Sequence, residues 1–128
     1  MATSQQLLQP RGRVLIVDDD SAVRAFLTDF LEQQHFDVRA VADGSTALEA
    51  FRTEHFDLIL VDFQMPGMTG LDLAIEVRKT DPHVPIALIT GTAQNLKNGA
   101  IVEAGINRTF PKPFNLNELS TWIRSLSL

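Results

Sequence analysis

The 128-residue chain contains no cysteine, and this absence excludes disulfide bonds, thiolate metal sites and cysteine nucleophiles. It also lacks any stretch of about 20 consecutive apolar residues, the length that a membrane-spanning helix needs. Basic residues are the minority, 11 against 16 acidic residues, and the net charge of −5 argues against non-specific binding to nucleic acid. No G-x-G-x-x-G motif follows the first apolar run, which argues against a dinucleotide-dependent dehydrogenase.

The composition that remains is that of a globular domain, with 45% hydrophobic and 21% charged residues in a length that suits one domain. The first 12 residues are polar, contain Pro10 and Gly12, and lack the apolar stretch of a signal peptide. We therefore expect a flexible leader over residues 1–12, a folded domain over residues 13–128 and a cytoplasmic location.

Short apolar runs alternate with helical patterns along the predicted domain. The predicted strands are Val14–Val17, Val38–Val41, Leu58–Val61, Ile86–Ile89 and a weaker one at Thr109–Phe110. The predicted helices are Val23–Leu31, Gly44–Arg52, Gly70–Lys79, Ala93–Ala104 and a last one that starts at Asn115. Because three of the strands are almost wholly apolar, they suit a parallel sheet covered on both faces. The alternation predicts a doubly wound α/β domain with five strands and five helices.

Apolar residues at helical spacing indicate which helix faces are buried. On the first helix they include Phe26 and Phe30, which we expect in the core. On the third helix Leu71, Ala74, Ile75 and Arg78 lie along one side.

Polar residues follow the predicted strands, at the sheet edge where α/β domains bind their ligands. The residues at these strand ends are Asp18, Asp19, Asp20, Asp62, Thr90 and Lys112. If the first and third strands are neighbours, Asp18, Asp19 and Asp62 converge, and their mutual repulsion has to be compensated. Lys112 is one source of positive charge. A hard divalent cation such as Mg²⁺ is another, since every available ligand is an oxygen.

A carboxylate beside Mg²⁺, a lysine and a hydroxyl is suited to receive a phosphoryl group. Asp62 would act as the nucleophile and form an aspartyl phosphate. Lys112 and Mg²⁺ would neutralise charge on the phosphoryl oxygens, and the Thr90 hydroxyl would hydrogen-bond one of them.

Motifs at the strand ends carry a resemblance to a known family. VLIVDDD, LILVDFQMPGMTG, IALITGT and FPKPF occur in this order. With them the chain from Arg13 onward resembles the receiver domain of response regulators in bacterial two-component systems. The resemblance implies a flavodoxin-like sheet in the order 2-1-3-4-5 and a phosphoacceptor at Asp62. It implies a signalling domain, not an enzyme, that catalyses only its own phosphorylation and dephosphorylation.

The resemblance also implies how the site is divided. Asp19 would bind Mg²⁺ directly, Asp18 mostly through water, and the backbone carbonyl of Gln64 would be a further ligand beside Asp62. Thr90 and Lys112 would contact the phosphoryl group. The bond between Lys112 and Pro113 would be cis.

Expected partners follow from the same resemblance. The phosphoryl donor would be a phosphohistidine on a sensor histidine kinase or a phosphotransfer protein. A downstream protein or a second copy of the chain would bind through the face formed by the fourth helix, fifth strand and fifth helix. From the net charge of −5 and the absence of a long apolar stretch, we expect no direct contact with nucleic acid and none with a membrane.

One position departs from the family pattern. Many receivers have Tyr or Phe three residues before the lysine, whereas this chain has Thr109, with Phe110 facing the opposite side of the strand. We predict little movement at the fourth-helix and fifth-strand face, or movement carried by residues 90–95. Gln64 either fills space or tunes the attack of water on the phosphoryl group. Thr92 either caps the fourth helix or shares in this tuning.

Two other functions use some of the same residues. Asp18 and Asp20 form the D-x-D of haloacid-dehalogenase-like phosphatases, but Ala22 stands where that family has Thr or Val. A pseudo-receiver that binds partners without phosphorylation is the other alternative, and the complete set of acids, threonine and lysine argues against it.

Overall fold

The computed structural model describes residues 10–91 and 97–128, in which strands and helices alternate along the chain. The strands are β1 (Arg13–Val17), β2 (Asp37–Val41), β3 (Leu58–Asp62), β4 (Ile86–Thr90) and β5 (Arg108–Pro111). The helices are α1 (Ser21–Gln33), α2 (Gly44–Thr53), α3 (Gly70–Arg78), α4 (Asn98–Glu103) and α5 (Leu116–Ser125). All pairings between neighbouring strands are parallel, in the order β2-β1-β3-β4-β5. The predicted doubly wound fold and its strand order are confirmed.

The core lies on both faces of the sheet, as the continuous apolar runs predict. Leu15, Val17 and Ile59 face a cluster that includes Ala47 of α2 and Leu73 of α3. Alternate residues of the same strands, together with Leu27 and Leu31 of α1 and Leu119 and Ile123 of α5, form the cluster on the other face. Because successive strand side chains point to opposite faces, every position of β1 and β3 inside the sheet has to be apolar.

Short polar side chains begin four of the helices. Asp20 caps α1 by accepting hydrogen bonds from the backbone amides of Ala22 and Val23, at 2.9 and 3.4 Å. The corresponding caps of α2, α3 and α5 are Asp43, Thr69 and Asn115. These side chains satisfy backbone amides that have no partner inside the helix. Since the caps follow the strands closely, they also set where each strand-end loop finishes.

The apolar spacing on α3 matches its buried side only in part, because Ala74 is buried together with Leu73 and Val77 whereas Ile75 is 45% exposed. A Cβ atom on Gly70 would stand 2.6 Å from the backbone oxygen of Asp62, so glycine allows α3 to begin directly against β3. From this start the buried stripe of the helix runs through positions 70, 73, 74 and 77.

Phe26 is also misplaced by the prediction, since it is 51% exposed instead of buried in the core. Its ring lies 6.1 Å from the ring of Phe114, in the loop between β5 and α5. The remaining apolar stripe of α1 is buried at Leu27 and Leu31, so α1 needs no contribution from Phe26 to pack on the sheet.

The chain before β1 is tied to β2 where it is described. The backbone amide of Arg11 donates to the carbonyl of His35 at 2.8 Å, and the carbonyl of Gly12 accepts from Asp37 at 2.9 Å. Residues 1–9 of the predicted leader lie outside the described residues, and the division into leader and domain stays a prediction.

The helices are short. The longest helix that the structure describes, α1, has 13 residues, and α4 has six. The predicted start of the fourth helix is wrong, because Lys97 is an N-cap with extended backbone and α4 begins at Asn98; Ala93 itself lies outside the described residues. The predicted end is confirmed by Gly105, which has a positive φ of 81°. Among the helices that the structure describes, none is long and apolar enough to cross a bilayer.

Candidate functional site

Three carboxylates converge at the carboxyl end of the sheet, as predicted. Asp18 and Asp19 follow β1, and Asp62 is the last residue of the neighbouring strand β3. One carboxylate oxygen from each lies within 4.8 Å of the others. Asp18 and Asp62 are buried, at 1% and 6% exposure, whereas Asp19 is exposed. The site therefore has two buried acids and an open side.

Lys112 reaches the same point from β5. Its Nζ lies 3.1 Å from Oδ2 of Asp18 and 3.2 Å from Oδ1 of Asp62. The peptide bond between Lys112 and Pro113 is cis, as the resemblance implied. One ammonium thus bridges two buried carboxylates that lie on different strands.

The site remains short of positive charge. Burial raises the pKa of Asp62, and the charge of Asp18 raises it further; Lys112 opposes this effect, and Asp19 adds to it. Burial alone would lower the pKa of Lys112, but the hydrogen bond and charge of Asp18 and the charge of Asp62 outweigh burial and raise it. In the described part of the chain, Lys112 is the ammonium that pairs with this group of three carboxylates, and it contacts two of them, so a further cation would be stabilised here.

The carboxylates offer a ligand set that suits such a cation. All donors are oxygens, they come from three acids, and their oxygens are close enough to share one ion. Mg²⁺ favours oxygen ligands and keeps several waters, for which the exposed side at Asp19 leaves access. The residues present therefore fit a hard divalent cation.

Thr90 ends β4, which pairs with both β3 and β5. It is 1% exposed, and its backbone carbonyl accepts a hydrogen bond from the amide of Lys112 at 3.0 Å. Thr90 and Lys112, the residues predicted to contact the phosphoryl group, therefore lie next to each other at the ends of neighbouring strands.

Gln64 is exposed, two residues beyond Asp62. It lines an open depression of about 390 Å³ together with Asp19, Phe63, Met65, Pro66 and Thr69. Its position beside the acids is compatible with either role predicted for it. Thr92, the other residue predicted to tune the rate, lies outside the described residues.

Thr109 lies in the middle of β5, half-buried and paired with Leu88 of β4. Phe110 is 1% exposed and packs edge-on against Trp122, in the core cluster that contains α1 and α5. Phe110 therefore faces the side of β5 opposite to Thr109, as predicted, and its ring is part of the core.

Asp20 takes no part in the carboxylate cluster. Its side chain is exposed and is used to cap α1. Its backbone amide donates to Oδ1 of Asp18 at 2.9 Å, which closes the turn between β1 and α1. The D-x-D of a phosphatase requires both aspartates in the pocket, so this geometry disfavours that alternative.

Sequence reasoning did not single out Arg24. Its Nη1 donates to the backbone carbonyl of Asp18 at 2.7 Å. The sequence signal that could have identified Arg24 is its position as the fourth residue of α1. Helical side chains lean toward the N-terminus of their helix, so an arginine at this position can reach the residues that precede the helix.

Comparison with known proteins identifies the family to which the chain is similar. Residues 14–124 match the model of the response regulator receiver domain. The DNA-binding response regulator MtrA of Mycobacterium tuberculosis is 36% identical over 115 residues, which are 90% of this chain and 50% of MtrA. The chain thus spans about half the length of the curated relatives it matches.

Solved structures give the same result. The response regulator TrrA of Thermotoga maritima, in complex with Mg²⁺ and BeF, has a TM-score of 0.82 and 29% identity, covering 89% of this chain and 97% of that one. The receiver domain of the sensor histidine kinase PA1611 of Pseudomonas aeruginosa, with magnesium in its active-site cleft, has a TM-score of 0.82 and 26% identity. That match covers 91% of this chain and 97% of the other.

The partner prediction is wrong in excluding nucleic acid, because these curated relatives are named DNA-binding response regulators. The prediction rested on the net charge of −5. Net charge reports on non-specific attraction to this chain's surface and carries no information about DNA binding elsewhere in a longer relative.

Proposed function

Since the chain belongs to the family of response regulator receiver domains, we propose that Asp62 is its phosphoacceptor and that Lys112, Thr90, Asp18 and Asp19 serve the transfer. The observation that carries this proposal is the bridge from Lys112 Nζ to both Asp18 and Asp62 at the edge of the parallel sheet. It joins the two buried acids to the ammonium of Lys112, at the place where such sheets bind ligands.

In the proposed reaction a carboxylate oxygen of Asp62 attacks phosphorus in line with the leaving group. A new O–P bond forms, the P–N bond of a phosphohistidine donor breaks, and the imidazole leaves with the bonding electrons and takes up a proton. Lys112 already touches Asp62 and stabilises the negative charge of the phosphoryl oxygens. The Thr90 hydroxyl donates to one of these oxygens. Water attack on the aspartyl phosphate reverses the modification, and Gln64 and Thr92 tune its rate.

The carboxylates of Asp18, Asp19 and Asp62, with the backbone carbonyl of Gln64, are the groups that would hold Mg²⁺. Bound there, the ion supplies charge neutralisation at the phosphoryl oxygens. The oxygen-only ligand set and its 4.8 Å spread support this assignment. The relatives TrrA and PA1611, solved with magnesium, support it independently.

The donor in this proposal is a sensor histidine kinase or a phosphotransfer protein in the cytoplasm. The name of the curated relatives supports control of DNA binding as the output. Because Thr109 replaces the aromatic residue of many receivers, the signal does not depend on a rotating ring at that position.

The test is incubation with Mg²⁺ and acetyl phosphate, followed by intact-mass and peptide mass spectrometry. We expect one phosphoryl group on Asp62 in the wild type and none in Asp62→Asn. Asp57→Asn is the matched control, since Asp57 precedes β3 at the opposite end of the sheet. Absence of an adduct on Asp62, or an equal adduct in Asp62→Asn, would contradict the proposal.

A further inference from the structure

Asp18 is held through each of its polar groups. Its amide donates to the carbonyl of Val41 at 3.1 Å, Oδ1 accepts from Asp20 at 2.9 Å, and Oδ2 accepts from Lys112 at 3.1 Å. Its backbone carbonyl accepts from Nη1 of Arg24 at 2.7 Å. The first contact is part of the sheet, the second closes the turn between β1 and α1, and the third belongs to the carboxylate cluster. The fourth has no role in the proposed phosphoryl transfer.

The contact matters because of the peptide to which the carbonyl belongs. This peptide unit joins Asp18, which is buried, to Asp19, which is exposed. Peptide units are planar, so the direction of the Asp18 carbonyl sets the plane from which the Asp19 Cα continues. It therefore also sets the direction in which the Asp19 carboxylate is presented to the cluster.

β1 ends at Val17, so the Asp18–Asp19 peptide lies beyond the strand pairing that orients the residues before it. Arg24 supplies orientation from the first turn of α1, where its half-buried side chain reaches the Asp18 carbonyl. A guanidinium suits this task, because its planar fork of donors is preorganised. A hydrogen bond from a charged donor is also stronger than one between neutral groups.

We propose that Arg24 is a positioning residue of the cation site, which holds the Asp18 carbonyl and thereby aims the Asp19 carboxylate at the ion. The proposal rests on the proposed function, since it assigns the cation to Asp18, Asp19 and Asp62. Arg24 itself touches neither Asp62 nor the phosphoryl group. Its removal changes the affinity for the ion and leaves the transfer step intact once the site is filled.

The test is calorimetric titration of Mg²⁺ into the wild type, Arg24→Ala, Arg24→Lys and the control Arg52→Ala. Arg52 is exposed on α2, away from the cluster. We expect the dissociation constant of Arg24→Ala to rise about tenfold, the effect of losing one charge-assisted hydrogen bond. Arg24→Lys retains a donor on a shorter stem and should recover part of this loss, and Arg52→Ala should equal the wild type.

The dependence of Mg²⁺ affinity on salt concentration distinguishes a hydrogen-bonding role of Arg24 from a purely electrostatic role. If Arg24 acted only through its positive charge near the acids, the difference between Arg24→Ala and the wild type would shrink as KCl is raised. The positioning role predicts a ratio of dissociation constants that persists at high salt. A ratio that falls to unity at high salt would overturn the proposal.

A second measurement needs no metal. The amide of Asp20 donates to Asp18 Oδ1, so its hydrogen exchange in EDTA reports on the order of the turn. We expect faster exchange of this amide in Arg24→Ala, with the amides of β3 unchanged. At saturating Mg²⁺, phosphorylation by acetyl phosphate should return to the wild-type rate, which a general loss of folding would not allow.

Unchanged Mg²⁺ affinity together with unchanged Asp20 exchange would overturn the role of Arg24. If the wild type itself bound no Mg²⁺, the proposed function would fail, and the exchange of Asp20 would still decide whether Arg24 orders the turn. If Arg24→Ala failed to fold, Arg24→Lys would carry the same comparisons.

Discussion

The two ends of the sheet hold charged groups in opposite ways. At the carboxyl end, Lys112 is the cation that contacts two of the three clustered carboxylates, and two of those acids are buried. At the amino end, acids and bases alternate in what we call the amino-end network. Its members are Arg13, Asp37, Arg39, Glu54, His55 and Asp57.

Arg13 is the centre of the amino-end network. Its guanidinium donates to Asp37 and to Glu54, both at 2.9 Å, and to the carbonyl of His55 at 3.2 Å. It also stacks over the ring of Phe56. Arg39 pairs with the second oxygen of Glu54. These groups are partly exposed, and each is paired with another member of the network. The network therefore contributes modestly to stability, and its charged groups are engaged in ion pairs and not in a chemical site.

The fold keeps the charged groups that stabilise it apart from the charged groups proposed for phosphoryl transfer. The amino-end network lowers the free energy of the folded state. The carboxyl-end cluster raises the free energy of the folded state as long as no further cation is bound. The pKa shifts have opposite signs at the two ends. The pKa of Asp62 is raised, and that of Asp57 is lowered because the Arg13 amide and His55 outweigh its burial.

The largest effect is expected at Lys112. Replacing it by alanine leaves the carboxylates of Asp18 and Asp62 buried without their ammonium, which should lower the free energy of unfolding by about 2 kcal/mol in EDTA. Urea denaturation measures this loss. Lys79→Ala is the control, because its exposed ion pair with Glu76 should contribute less than about 0.5 kcal/mol. Equal losses in both variants would remove the distinction between the buried and the exposed pairs.

A smaller effect of opposite sign is expected at Asp62. Because its pKa in the folded state is raised, stability from this group is greatest at acidic pH and declines as pH rises through the folded pKa. Asp62→Asn should therefore stabilise the protein at neutral pH in EDTA by on the order of 1 kcal/mol, measured as a higher Tm. Mg²⁺ should stabilise the wild type and leave the variant nearly unchanged. A variant with a lower Tm than the wild type in EDTA would refute this view of the cluster.

The smallest effect is expected at Asp57, again with the sign reversed. Its lowered pKa means that its stabilisation is present above the ordinary carboxyl pKa and is lost as pH falls through the folded pKa. Asp57→Asn should destabilise the protein at neutral pH by about 0.5–1 kcal/mol, a value reduced by the partial exposure of the side chain. Thermal denaturation across acidic pH should show the difference from the wild type disappearing. Phosphorylation should be unaffected.

Local patterns were sufficient to predict the elements and most of the candidate site. The apolar runs located β1, β3 and β4 within a residue at each end. The acids of the site follow directly from these runs, because the residue after a buried strand is already at the ligand-binding edge. The consequence of Thr109 for signal transmission stays a prediction.

Local patterns failed where orientation depends on a distant contact. Apolar spacing alone grouped Ile75 with Ala74, but Ile75 is exposed and the buried stripe of α3 continues through Leu73 and Val77. The helix also begins directly against the backbone of Asp62, which glycine at position 70 allows. Phe26 fitted an apolar stripe equally well, yet α1 packs through Leu27 and Leu31. The spacing of apolar residues defines an apolar stripe on a helix, but it does not define which residues at the edge of that stripe contact the sheet.

The amino-acid sequence alone is sufficient to establish the alternation of strands and helices, the polar residues at the strand ends and the family of the chain. Which of these residues come into contact depends on the tertiary structure. Lys112 and Asp18 are 94 residues apart, and their contact depends on the order of the strands between them. Which aspartates are buried, and that Arg24 holds the Asp18 carbonyl, likewise depend on how α1 and the sheet pack together. Local periodicity specifies the elements, whereas burial and close contact between distant residues are properties of the assembled core.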